Sequence, residues 1–206
     1  MVILSEVAKQ VQARWRRRMP QQNLPHLILM TDPERLPHPE PIVARLPRGA
    51  AIILRHYGMP GRQALARRLA ACCRRHGIRL LIADDFRLAV AVRADGLHLP
   101  EHRVRSSGRL WSLWRPPGYI ITAAAHDRAG LNRASRAGAD AVLLSPVFLT
   151  TSHPGARVLG PIRFAQLTRH SRLPVYALGG VGGAGARRLV PAQPAGFAAI
   201  NGIIAP

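Results

Sequence analysis

Eight short apolar runs, separated by longer stretches, punctuate this 206-residue chain. They fall at residues 27–31 (LILMT), 50–55 (AAIILR), 79–83 (RLLIA), 96–99 (GLHL), 119–124 (YIITAA), 141–145 (AVLLS), 175–179 (VYALG) and 197–201 (FAAIN). None alternates cleanly between apolar and polar residues. Short, uniformly apolar runs are what strands buried on both faces of a parallel sheet require. Between the runs lie helical patterns. Residues 62–76 place Leu65, Ala66, Leu69 and Cys73 on one face and arginines on the other. Residues 126–137 carry Ala129, Leu131 and Ala134 and stop at Gly138, and residues 161–170 open on a proline, a favoured first-turn residue. Alternating strands and helices of this number predict an α/β fold, a (β/α)8 TIM barrel; an open, doubly wound sheet is the alternative.

Too few residues follow the eighth run to build an eighth helix, so one face of the barrel would be bare. The N-terminal segment supplies a substitute. Leu4, Val7, Ala8, Val11 and Trp15 recur at helical spacing, with Ser5 as the expected cap. The chain therefore divides into a basic amphipathic helix over residues 1–20 and a barrel over residues 21–206, the helix covering the gap between the eighth and first strands. A second copy of the chain over that face, as a homodimer, and a basic helix lying on an anionic membrane are the alternatives.

Charge narrows the chemistry. Thirty basic side chains face ten acidic ones, for a net charge of +20, and Lys9 is the single lysine. A Schiff-base enzyme needs a desolvated lysine, whereas Lys9 sits in a polar N-terminal segment. The GK[ST] of a P-loop is absent. Arginine in this excess suits planar anions, nucleic acid, or simply solvated helix faces. Trp15 among basic residues, and Trp111 and Trp114 near Arg109 and Arg115, would be the stacking or interfacial anchors of an RNA- or membrane-associating protein. Cys72 and Cys73 are adjacent, which excludes a disulfide framework and a cysteine zinc site. The expected setting is reducing and cytoplasmic: no apolar run is long enough to span a bilayer, and the N-terminal apolar stretch is too short for a secretory signal.

In a barrel, chemistry gathers at the carboxyl ends of the strands. The polar residues there are Thr31, Asp32, Arg55, His56, Asp84, Asp85, His98, Glu101 and His126, then Thr150, Thr151, Ser152 and His153. Gly179 and Gly180 follow the seventh run, and Asn201 and Gly202 the eighth; small residues there let backbone N–H groups approach a phosphate. Asp84 or Asp85 could hold Mg²⁺ or cap the next helix. His98 and His102 are four apart, but Pro100 interrupts the helix that would pair them on zinc.

Taken in order and spacing, several segments resemble the thiamine-phosphate synthase and TenI-like thiazole tautomerase family. They are LILMTD at 27–32, LIAD at 81–84, ADGLHL at 94–99, GADAVLLSPVF at 138–148 with Thr150, LPVYALGGV at 173–181 and INGI at 200–203. The resemblance implies a (β/α)8 barrel of thiamine biosynthesis that takes a phosphorylated thiazole and a pyrimidine diphosphate. It implies Arg55 on the diphosphate, Asp84 on Mg²⁺, and Thr150, Ser152, Gly179, Gly180, Asn201 and Gly202 around the thiazole phosphate.

The chain departs from that pattern. The family's Gln-Leu-Arg-x-Lys reads Ile53, Leu54, Arg55, His56, Tyr57, and the Asn before the metal Asp is Ala83. The second metal Asp falls on Arg103, the fifth-strand Ser on Ala124 and the loop Lys on His153. The tautomerase histidine falls on Pro146, leaving His126 and His153 as substitute bases. Each lost electrostatic contact costs a transition state about 2.7–4 kcal/mol. Two readings follow: a divergent synthase or tautomerase, or a non-catalytic ligand-binding or regulatory barrel that has lost the diphosphate and magnesium half of its site.

Overall fold

The computed structural model describes residues 4–18, 23–106, 115–150, 155, 157–200 and 203. Eight parallel strands form a closed ring: β1 (Leu27–Met30), β2 (Ala51–Leu54), β3 (Arg79–Ala83), β4 (Gly96–Leu99), β5 (Ile120–Ala125), β6 (Ala141–Leu144), β7 (Val175–Leu178) and β8 (Gly196–Ala199). β8 pairs back onto β1, with Leu27 opposite Phe197 and Leu29 opposite Ala199. That pairing excludes the open doubly wound sheet.

Both faces of each strand are consumed, which is why the runs lack alternation. Ile28, Met30, Ala51, Ile53, Leu81, Ala83, Leu143, Tyr176 and Ala198 fill the barrel interior. Their neighbours in sequence, among them Leu29, Ile52, Leu54, Leu80, Ile82 and Val142, face outward into the helices. Closure is tight where β8 meets β1: a Cβ on Gly196 would lie 2.3 Å from the His26 carbonyl oxygen. Below it, the Tyr176 hydroxyl donates to the Pro25 carbonyl and ties β7 to the lead-in of β1.

Among the described residues seven α-helices lie between consecutive strands: α2 (Glu40–Val43), α3 (Arg62–His76), α4 (Phe86–Ala91), α5 (Glu101–Ser106), α6 (Arg128–Arg136), α7 (Gly160–Arg169) and α8 (Gly183–Leu189). The sequence pattern anticipates α3, α6 and α7. The others span seven residues or fewer, too short to display a helical period. α3 buries Leu65, Ala66, Leu69, Ala70 and Cys73 and ends on Gly77 in the left-handed conformation. Burial pushes the Cys73 thiol up to about 12, with Cys72 and Asp95 adding to the shift, so it stays protonated and inert.

The remaining helix, α1 (Leu4–Arg18), packs against α8 and β8. Leu4, Val7, Ala8 and Val11 are each at most 2% exposed, while Lys9, Arg14, Arg16 and Arg17 face solvent. The N-terminal helix thus covers the outer face of the barrel at β8. Ser5 lies within it rather than capping it, because the helix already begins at Leu4. Trp15 is half-buried against the interior cluster, which removes it as an exposed stacking or membrane anchor; Trp111 and Trp114 lie outside the described residues. Among the described residues no helix is long and apolar enough to cross a membrane.

The burial of α1 predicts that Leu4→Ala lowers stability by about 2–5 kcal/mol, the range for emptying a core leucine site. Deleting residues 1–18 should expose the apolar surface of α8 and β8 and lower both melting temperature and solubility. An unchanged melting temperature in the deletion would contradict this role.

Candidate functional site

The strand exits on the carboxyl side place three groups of side chains around one rim. At the first, Thr31 organises the ends of β1 and β2. Its hydroxyl accepts the Arg55 amide N–H (3.0 Å) and pairs with His56 Nδ1 (2.9 Å). Arg55 Nε donates to the Thr31 carbonyl (2.8 Å), and Nη2 donates to Asp32 Oδ2 (3.0 Å). The guanidinium is thereby fixed in place by two side-chain bonds of its own. Asp32 Oδ1 accepts the amides of Glu34 and Arg35 (each 3.2 Å), which turns the chain so that Arg35 returns over the rim. His56 is fully buried, and burial lowers its pKa, so it is neutral near pH 7.

The second group lies at the ends of β3 and β4. Asp84 is held at φ +59°, a left-handed conformation that aspartate tolerates better than most residues. Its Oδ1 accepts from Arg103 Nε at 2.5 Å, and its Oδ2 faces His102 Nε2 at 3.5 Å. Asp85 caps α4 by accepting the Leu88 amide (2.9 Å) and pairs with Arg62 Nη1 (3.3 Å). Arg62 Nη2 donates to the Ala83 carbonyl at 2.5 Å. His98 points into the barrel, where its Nδ1 pairs with Thr122 Oγ1 (2.9 Å). Burial, with Arg55 adding to the shift, pushes its pKa down to about 3. His98 and His102 therefore sit in different environments, one interior and one on the surface beside Asp84.

Mg²⁺ takes six oxygens at short distance, usually from one or two carboxylates, waters and substrate phosphates. Asp84 Oδ1 is taken by a guanidinium and its Oδ2 faces an imidazole, and among the described residues no three His, Cys, Asp or Glu side chains cluster to hold a metal. The donor set at this corner does not fit the ion.

The third group is at β5 and β6. His126 Nδ1 donates to the Ser145 carbonyl (2.7 Å), and its Nε2 faces Glu101 Oε2 at 3.5 Å. Glu101 also pairs with Arg133. His126 is thus held by two neighbours and does not line the cleft described next.

That cleft, of about 300 Å³, opens at the ends of β6, β7 and β8. One wall is Ser145, Pro146, Leu149 and Thr150 after β6, with Gly179, Gly180, Val181 and Gly182 after β7. Met30, Leu178, Ala199 and Ile200 form an apolar floor, and Arg35 and Arg55 stand among the lining residues. The paired glycines are required by close approach. Gly180 has φ +64°, and a Cβ there would lie 2.2 Å from the Leu149 carbonyl oxygen. The two loops touch at this point, with Phe148 N–H donating to the Gly179 carbonyl (3.0 Å) and Val147 N–H to that of Leu178 (2.9 Å). The result is a wall of main chain beside an apolar floor and two guanidinium groups, a setting for a flat apolar ring bearing an anion.

Arg55, Thr150, Gly179 and Gly180, singled out from the sequence, meet in this cleft. Asp84 and His126 do not line it. Ser152, His153, Asn201 and Gly202 lie outside the described residues. Arg35, Met30 and Ile200 were not anticipated. The signal for Arg35 was the Asp32-Pro33 pair directly after β1, which marks a turn that folds the next residues back.

Residues 27–203 match the family model described as thiamine monophosphate synthase. A curated relative from Aquifex aeolicus is 37% identical over 119 residues, covering 57% of this chain; the chain spans 61% of that relative's length. The thiamine-phosphate synthase of Thiobacillus denitrificans is 35% identical over 143 residues, covering 69% of this chain and 67% of the relative. Among solved structures, a thiamine phosphate pyrophosphorylase from Pyrococcus furiosus superposes with a TM-score of 0.68 at 25% identity, covering 85% of each chain.

Buried histidines set a pH dependence, and for two of them, His26 and His98, the shift is large. His26, with its pKa lowered to about 4 by burial and then by Lys9 and Arg16, and His98 stay neutral in the fold but titrate near 6.5 once unfolded. The unfolded chain binds more protons below pH 6.5, so their stabilising contribution is complete above that pH and is lost as the pH falls toward the folded values. Each contributes a slope of up to about 1.4 kcal/mol per pH unit. Urea denaturation should therefore show falling stability from neutral pH to about pH 5, and His98→Asn should remove its share of the slope.

Proposed function

Because the chain belongs to the thiamine monophosphate synthase family of thiamine biosynthesis, we propose that the β6–β8 cleft binds a phosphorylated thiazole. The carrying observation is the composition of its walls. A heteroaromatic ring fits the floor of Met30, Leu178 and Ile200, and a phosphate fits between the main chain of residues 179–182 and the guanidinium groups of Arg35 and Arg55. The cleft volume is at the lower end of small-molecule sites, which suits a single five-membered ring with a short phosphorylated arm. Thr150 stands at the mouth, where a hydroxyl can serve a phosphate oxygen as donor.

In the chain's own terms, the binding step needs little rearrangement. Arg55 is preset by Thr31 and Asp32 and keeps its charge at any physiological pH. Sharing Arg55 between Asp32 and a bound anion leaves the carboxylate paired and the guanidinium doubly engaged. His56 and His98 are neutral, so the positive charge offered to the anion comes from arginine.

A second reading, transfer of a pyrimidine from its diphosphate onto the bound thiazole, is favoured by Arg55, which stands in the same cleft as the thiazole walls. Against efficient transfer stand Ile53, Tyr57 and Ala83, which supply neither the compact charge nor the amides of the family pattern. The proposed function is therefore a thiazole-phosphate-binding barrel, with coupling activity as the property to be measured separately.

Thiazole phosphate should raise the melting temperature, by the equivalent of about 2.7 kcal/mol at a hundredfold excess over Kd. Arg55→Ala should weaken that effect at least about tenfold in Kd, the worth of one charge-assisted contact to phosphate. A ligand that leaves the melting temperature unchanged at saturating concentration would contradict the binding assignment. Formation of thiamine phosphate from both precursors would establish the second reading.

A further inference from the structure

The carboxylates on the rim share one arrangement. Asp32 faces Arg55, Asp85 faces Arg62, and Glu101 faces Arg133 and His126. Asp84, the residue best placed by position for a cation, faces Arg103 on one oxygen and His102 on the other. Four carboxylates that could donate oxygens to a metal are thus each turned toward an arginine from a neighbouring element. The Arg62 guanidinium also lies over the Tyr57 ring, 5.7 Å from its centroid. A divalent cation approaching Asp84 meets the Arg103 guanidinium 2.5 Å from Oδ1 and the His102 imidazole 3.5 Å from Oδ2, and among the described residues the other rim carboxylates, Asp32, Asp85 and Glu101, each pair with an arginine.

We propose that the corner at the carboxyl ends of β3 and β4 is closed to divalent cations, because the Arg103 guanidinium takes the Asp84 oxygen that a metal would need. Positive charge here is supplied permanently by the chain. Arginine is planar, always protonated and suited to two-point contact with phosphate oxygens. An anionic group reaching this corner therefore meets the half-exposed Arg103 directly, and its affinity does not depend on magnesium. The inference concerns the chain alone and does not rest on the ligand assigned to the β6–β8 cleft.

Mn²⁺ reports on such a site without any substrate, since it accepts the same oxygen donors as Mg²⁺ and is visible by electron paramagnetic resonance. Titrated with the full chain up to roughly millimolar concentration, the free Mn²⁺ signal should stay undiminished. Arg103→Asp removes the guanidinium and sets a second carboxylate beside Asp84. That variant should bind Mn²⁺ at least about tenfold more tightly than the natural chain, since affinity follows the number of charged ligands. Asp84→Asn added to it should abolish the gain. Binding by the natural chain that Asp84→Asn leaves intact lies elsewhere and agrees with a closed corner. Stoichiometric binding by the natural chain that Asp84→Asn removes would overturn the proposal. So would a folded Arg103→Asp variant that gains no Mn²⁺ affinity. Should Arg103→Asp fail to fold, the titration of the natural chain and Asp84→Asn decides the matter unaided.

Discussion

The pairing of β8 with β1 is the constraint on which the rest of the structure depends. It converts eight short strands into a ring, and only a ring brings all eight strand ends to one rim. Closure needs a residue without a side chain at Gly196, where the backbone of β8 approaches the lead-in of β1. It also needs a cover over the outer face of β8, which α1 provides by burying Leu4, Val7, Ala8 and Val11. The cleft is built from segments far apart in sequence, from Met30 to Ile200, and exists only because the ring is closed. Stability and binding are thus linked through the same strand pair.

The arginine excess has two physical roles in the described residues. On helix surfaces such as those of α1 and α3 the guanidinium groups face water, as solvated helix faces do. On the rim they are structural. Arg55 is fixed across β1 and β2, Arg62 holds the end of β3, Arg103 is paired with Asp84, and Arg133 holds Glu101. The Arg55, Arg62 and Arg133 contacts are part-buried, where truncating one partner leaves a poorly solvated charge, whereas the Arg103–Asp84 pair is exposed. On the β1–β4 side the rim is thus tied together by arginine pairs. Its β6–β8 side is made of main chain and apolar side chains.

Much of the fold was legible in the sequence, and the reasons are specific. The eight runs carried the strands because a two-sided parallel strand has no polar positions to blur it. α3, α6 and α7 showed a helical period. The short helices α2, α4, α5 and α8 did not, since fewer than eight residues complete only about two turns. The place of α1 was legible from its apolar spacing, with Leu4, Val7, Ala8 and Val11 on one face. The site was legible only in part. Gly179, Gly180, Thr150 and Arg55 could be found because they follow strands at positions where ligands are met. What could not be read was pairing. Nothing in the sequence says that Asp84 turns to Arg103 across 19 residues, that His126 is held by Ser145 and Glu101, or that Arg35 folds back over the rim. Those facts depend on how β3, α5, β5 and β6 are brought together in space.

The central claim is that the cleft beside the paired glycines receives an anionic heterocycle on an apolar floor, with arginine supplying the positive charge. A crystal structure of the chain with thiazole phosphate, grown in the presence of a chelator, tests it most directly. The account predicts the ring against Met30 and Ile200 and the phosphate beside the turn after β7, within reach of Arg35 or Arg55. Ligand seated at the Asp84 corner instead, or density that forms only when magnesium is added, would contradict it.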